Sequence, residues 1–241
     1  MTDSQPVRRG RQAEAERNDR LVLDAARAVV ARYGPDAPVS AIAEQAGVGM
    51  GSLYRRYGSK ADLLRHLCML AMNDTIQAAE QALRQADPWA GLAGYVRACV
   101  AQGTGTLGAL AGSFETTQDM WAASKRSRDL LAQLVRRAHR AGELRSDVTV
   151  LDIAWMIETL GRSPSRDLSE EDAVIRQRIT TIAIDGLRAG PNSQPASPLP
   201  GPPPTTRHYE RRWQADSADS AGSLGSSGSP AAAGHRADAG P

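Results

Sequence analysis

Apolar residues recur along this chain at three- and four-residue intervals, the period of helices that each bury one face. Val22, Ala25, Ala26, Val29, Val30 and Tyr33 share such a face, and Gly34-Pro35 stops it, which predicts a helix over 18–33. A short helix follows over 39–46, with Ile42, Ala43 and Ala46 on one side and Gly47 as the left-handed residue that turns the chain. The next covers 50–57, with Leu53 and Tyr57 inward and Gly58 at its end. Ser59 then stands where a helix cap belongs, ahead of a long helix that carries Leu63, Leu64, Leu67 and Leu70 to about residue 86, where Asp87-Pro88 breaks it. Further helices fit 89–102, 107–117, 121–141, 150–160 and 169–189. The last opens with Ser169 three residues before Asp172, a capping-box spacing, and carries Ile175, Ile179, Ile182, Ala183 and Leu187 as a stripe wide enough to bury against a partner.

Composition supports the same picture. With 41% apolar and only 4% aromatic residues, the chain favours helices packed through Ala and Leu over sheets rich in aromatic and β-branched residues. The fold class is therefore all-α: a three-helix N-terminal unit over 18–65 and a C-terminal helical bundle over 66–189. Residues 1–17 are polar and read as a basic, mobile arm, with Arg8, Arg9 and Arg11 close together. From residue 190 the chain turns to Pro, Ser, Gly and Ala, too poor in aliphatic groups to offset the entropy of ordering, so 190–241 is expected to be a disordered tail. No signal peptide or run long enough to span a membrane is evident, which leads to the expectation of a cytoplasmic protein with no membrane partner. Cys68 and Cys99 lack the paired Cys/His spacing of a zinc site and read as buried thiols, so neither metal nor cofactor is expected.

A net charge of +2 is too small to bind nucleic acid by bulk attraction, so any such role depends on where the charge sits. The informative stretch lies between Val39 and Leu64. Two short helices joined through a glycine turn form the unit that lays its second helix in the major groove of DNA. Gly49, Gly51 and Ser52 are small enough for that helix start to approach the groove, where free backbone N–H groups favour phosphate. Tyr54, Arg55 and Arg56 supply long donors for phosphates and base edges, and Lys60 a point charge for the backbone. Met50 fits groove contact and helix filler equally.

The A-I-A-x-x-A-G-V string at 41–48, the Gly51-Ser52-Leu53-Tyr54 step, and Tyr57-x-Ser59-Lys60 followed by Leu63-Leu64 resemble the DNA-binding domain of the TetR family of bacterial regulators. The resemblance implies that Ser40 and Lys60 touch phosphates, that Met50, Gly51, Tyr54, Arg55 and Arg56 lie in or beside the major groove, and that the last two helices pair two subunits. Ile153, Ile157, Ile175, Ile179, Ile182 and Leu187 are the candidate interface. It also implies a dimer that represses from a pseudo-palindromic operator until a small ligand binds. Three positions depart from the family pattern: Pro38 for a capping Thr, Gly49 for a capping Ser, and Tyr57 for the usual Phe. The Arg8, Arg9 and Arg11 arm fits either a minor-groove contact or a solvated segment.

Other functions are weaker on the same residues. Gly103-x-Gly105-x-x-Gly108 matches a dinucleotide-binding string, but it follows a helical pattern with no preceding strand and reads as an interhelical loop. His66 and His139 stand in no nucleophile pattern, so the chain is not read as an enzyme. Trp89, Tyr95, Phe114, Met120, Trp121 and Trp155, scattered over the body with few charges nearby, are candidates for a pocket holding a small apolar or amphipathic effector, or else ordinary core. A regulator without an effector, using the body only to dimerise, stays open.

Overall fold

A computed structural model describes residues 5–110, 113–162, 170–189 and 197–208, with 5–13, 16, 35, 107, 109 and 170 as backbone only. Among these residues there are eight α-helices: α1 (Gln5–Tyr33), α2 (Val39–Ala46), α3 (Met50–Tyr57), α4 (Lys60–Leu83), α5 (Pro88–Ala101), α6 (Gln118–Arg140), α7 (Val150–Leu160) and α8 (Glu170–Gly186). The only β pairing described is an isolated bridge between Leu144 and Arg188.

Two hydrophobic cores organise these helices. The first gathers Val22, Leu23, Ala26 and Val30 of α1 with Ile42 and Ala43 of α2, Leu53 of α3, and Leu63, Leu64, Leu67 and Ala71 of α4. The second joins Ala78, Ala79 and Ala82 of α4 to Leu92, Val96 and Val100 of α5, Leu131, Leu134 and Val135 of α6, Ile153 and Ile157 of α7, and Ile184 of α8. Helix α4, 24 residues long, belongs to both, and at 1.5 Å per residue it runs about 36 Å. The change of core falls after Ala71, later than residue 65, and Leu110 and Met120 reach from the body into the first core.

Local chemistry sets most helix ends. Pro38 and Gly49 cap α2 and α3 without a side-chain hydrogen bond. Backbone groups suffice at α2, where Ala41 and Ile42 donate to the Pro38 carbonyl. Gly47 closes α2 in the left-handed region (φ +66°), with its N–H on the Ala43 and Glu44 carbonyls, and so sets the turn into α3. Ser59 caps α4 by accepting from the Asp62 N–H, and Thr149 with Asp152 forms a capping box on α7.

Three expectations change. Helix α1 begins at Gln5 rather than 18, so the backbone of Arg8, Arg9 and Arg11 is helical and not a mobile arm. Residues 5–17 are mostly Arg, Gln, Glu and Ala, all good helix formers, and Pro6 lies in the first turn, where its missing N–H costs nothing. No α-helix is found among the described residues of 107–117; Thr106–Leu110 is a single 3-10 turn, and Thr117 instead caps α6 by accepting from the Met120 N–H. Part of the expected disordered tail, 197–208, is described, and it is tied to the α6–α7 loop. Arg145 donates to the Ser197 carbonyl at 2.6 Å, and the Leu199 N–H donates to Asp147 at 3.0 Å. The Ser169 half of the predicted capping box lies outside the described residues, as do 190–196 and 209–241.

Candidate nucleic-acid interface

Leu53 is the one fully buried residue of α3, and it anchors the helix on the first core. Period 3.6 then turns Gly51, Ser52, Tyr54 and Arg55 outward, all of them exposed, while Met50 and Tyr57 are half-buried against that core. Gly49 and Ser40 are also exposed, at the starts of α3 and α2, whose first N–H groups have no partner within their own helix. Lys60, half-buried, opens α4. An aromatic ring and cationic side chains on α3, with two helix N-termini exposed at the starts of α2 and α3, are groups suited to phosphate and base edges. Arg55 Nη2 donates to Ser52 Oγ at 3.1 Å along the exposed surface, a weak bond that a better acceptor can replace.

Arg56 differs from its expected role. Its guanidinium turns away from the outer face of α3 and donates to Asp19 of α1 at 2.7 Å. The Tyr57 hydroxyl donates to the other oxygen of the same carboxylate at 2.5 Å, and His66 Nε2 stands 3.4 Å from it. Asp19, which nothing in the sequence singles out, is therefore the post to which the recognition helix is tied. Burial raises the Asp19 pKa, but the hydrogen bonds from Tyr57 and Arg56 outweigh it and hold the carboxyl below its ordinary value. The same burial and the Asp19 hydrogen bond push the Tyr57 hydroxyl up. Tyr57 in place of Phe is thus a functional polar handle with a buried acceptor to meet it.

The structure does not gather the six candidate pocket residues into one site. Tyr95 is core, Met120 is fully buried in the first core, and Phe114 packs against that same core. Trp89, buried at the start of α5, lies under the Arg188 guanidinium at 5.1 Å. Trp155 is half-buried on α7, and Trp121 is 52% exposed. These residues fall in different layers because their sequence spacing does not share one inward face. The one cavity that stands out, about 620 Å³, is lined by none of them.

Ile153 and Ile157 are likewise buried inside the body, where α7 packs on α5 and α6, so they are not available to a partner. Leu187 is half-buried against the same core. By contrast Ile175, Ile179 and Ile182 are 54%, 48% and 61% exposed on one stripe of α8, joined by Val174 at 63%.

Gly103, Gly105 and Gly108 serve packing. A Cβ on Gly105 would fall 2.0 Å from the Glu158 carbonyl oxygen of α7, and Thr106 Oγ1 donates to the Gly161 carbonyl at 3.2 Å. The loop is glycine-rich because two backbones touch there, with no strand to make a nucleotide cradle. Burial pushes the Cys68 and Cys99 thiols up to about 12, which leaves both inert. Among the described residues no cluster of His, Cys, Asp or Glu is arranged to hold a metal, and no helix is long and apolar enough to cross a membrane.

Comparison with known proteins agrees with this geometry. Residues 22–67 match the profile of bacterial regulatory proteins of the tetR family, and residues 87–189 match the SbtR-like transcriptional regulator C-terminal domain. Among curated proteins none matches the chain. Solved structures share the fold. A TetR transcription regulatory protein from Mycobacterium vanbaalenii is 25% identical with a TM-score of 0.51, over 73% of this chain and 98% of its own. A TetR regulator from Streptomyces coelicolor is 22% identical with a TM-score of 0.50, over 74% and 99%. A ketosteroid transcriptional regulator of Mycobacterium tuberculosis is 21% identical with a TM-score of 0.52, over 72% and 96%.

Proposed function

The chain belongs to the TetR family of DNA-binding transcriptional regulators, and from that premise we propose that it is a cytoplasmic homodimeric repressor, released from a pseudo-palindromic operator by a small molecule. The observation that carries this reading is the outer face of α3, where Gly51, Ser52, Tyr54 and Arg55 are exposed over a buried Leu53. Tyr54 and Arg55, with Met50 at the helix start, read base edges, and Arg55 is the guanine reader. Gly49, Gly51 and Ser52 keep the approach clear. Ser40 and Lys60 hold the phosphates on either side. Arg56 acts from behind, fixing the angle of α3 through Asp19. Arg8, Arg9 and Arg11, near the start of α1, supply a further phosphate or minor-groove contact.

The test is fluorescence-anisotropy titration of the purified protein with DNA from around its own coding region, against scrambled DNA, over a range of salt. Selective binding that weakens steeply with salt is expected, and Lys60→Ala should flatten the slope of log K against log salt by about 1. Equal, weak binding to every fragment, and to operator candidates selected from random DNA, would refute the reading. No described feature supports an enzymatic alternative.

A further inference from the structure

A cavity of about 620 Å³ lies on the seam between the two cores. Its walls are Arg20, Asp24 and Arg27 of α1, Asp74 of α4, Gln102 after α5, and Arg176 of α8, with alanines of α1, α4 and α5 between them. Three guanidinium groups face two carboxylates, so the lining carries an excess of one positive charge. The carboxylates are also poorly shared. Asp74, buried, takes a hydrogen bond from Arg20, and Arg27 Nη2 stands 3.8 Å from it without one. Arg27 Nη1 donates to Asp24 at 3.2 Å, but Asp24 is 71% exposed and screened by water. Arg27 Nε and Nη2, and Gln102 Oε1, are buried with no hydrogen-bond partner among the described residues.

An unsatisfied guanidinium edge is costly, and the Nε–Nη2 edge is the fork that grips a carboxylate in two-point fashion. Burial lowers the Arg27 pKa, and the nearby acids only partly offset this, so the cation is under-compensated where it stands. The unpartnered Gln102 Oε1 adds one neutral acceptor, and the alanines offer a short apolar wall.

We propose that this seam cavity binds a small organic carboxylic acid with a short apolar body, its carboxylate held by Arg27 and Arg176. This goes beyond the regulator reading and rests on it for its consequence. Arg20 and Arg27 belong to the DNA-binding unit, whereas Asp74 lies on the helix shared with the body. A ligand carboxylate on Arg27 brings a second negative charge up to Asp74, loosens the Arg20–Asp74 tie between α1 and α4, and shifts the two heads away from operator spacing.

The full-length protein is titrated by calorimetry with hexanoate and with benzoate, each against its neutral amide. Saturable binding of at least one acid, about tenfold or more tighter than its amide, is expected. Arg27→Met and Arg176→Gln should each remove that preference. The second lies on the periphery of α8, so it reports even if the first fails to fold by circular dichroism. No saturable binding of either acid, or binding untouched by Arg176→Gln, overturns the site. Saturating acid should also weaken affinity for a selected operator by about fivefold or more, and operator should weaken acid binding by the same factor. Acid binding without that reciprocity overturns the coupling while the site stands. A protein that binds the acids but selects no DNA sequence defeats the regulator reading instead.

Discussion

Arg55 and Arg56 are neighbours in sequence, but successive helical residues point about 100° apart, and that rotation gives them different work. Arg55 faces out beside Ser52, whereas Arg56 faces back to Asp19. Arg55→Ala should therefore lower affinity for the selected operator by about 1–3 kcal/mol and leave the melting temperature unchanged, as read by anisotropy and circular dichroism. Arg56→Ala should do the reverse in kind, lowering stability by about 0.5–1 kcal/mol, since the guanidinium is partly exposed, and weakening all DNA alike. Equal loss of selectivity in both variants would return Arg56 to the groove. Asp19→Asn keeps the shape but loses a charged acceptor for two donors, and should cost about 1–3 kcal/mol near neutral pH. The sign of the pH effect follows from the depressed carboxyl. Its contribution is complete above the ordinary carboxylate value of about 3.9 and is lost as pH falls through the lower folded value. The stability difference between wild type and Asp19→Asn should accordingly shrink below about pH 4 in chemical denaturation; a difference that stays constant there would deny Asp19 its charge.

At the scale of elements, Gly105 offers a sharp test of packing. Gly105→Ala places a methyl carbon against the Glu158 carbonyl, backbone on backbone, where neither side can give way. Destabilisation on the order of 1–3 kcal/mol is expected, whereas Gly51→Ala, with open space around it, should leave the melt unchanged. A Gly105→Ala protein as stable as wild type would mean that the loop moves freely from α7. The same contrast explains which elements are legible in sequence. Helices α2 and α3 have the bounds that their residues predict because Gly47 and Gly58 punctuate them locally. Residues 106–110 form a 3-10 turn where the sequence pattern predicts a helix from 107, next to a loop held at Gly105 and Thr106 against Glu158 and Gly161, some 55 residues away. The outward set of α3 was legible from one turn and one buried leucine. Asp19 was not, since its partners lie 37 and 38 residues off, and the seam cavity was not, since its walls come from four separate segments and follow no period. Aromatic content left pocket and core both open, and the structure divides the rings, with Trp89 and Tyr95 in the core and Trp121 at the surface.

For the whole molecule, the decisive feature is α8. It fastens to the body through Ile184 and Thr180, both buried, and leaves Val174, Ile175, Ile179 and Ile182 in water. A contiguous apolar stripe of this kind on a soluble domain marks a surface that another protein covers. In a twofold dimer the same stripe serves both subunits, so each substitution acts twice. In the proposed dimer, the two α3 helices would reach successive major grooves only if the interface held them about 34 Å apart, and one subunit alone has a single short reading helix. Ile175→Glu with Ile182→Glu should thus sediment as a monomer and melt within a few degrees of the wild-type fold, because neither side chain supports the core. Its operator binding should fall toward the weak, salt-dependent binding of a half-site, and adding saturating protein should restore occupancy without cooperativity. A variant that stays dimeric in sedimentation would move the interface off α8. A monomer that still binds the operator as tightly as wild type would mean that recognition needs only one head, and the pseudo-palindromic operator would have to be given up.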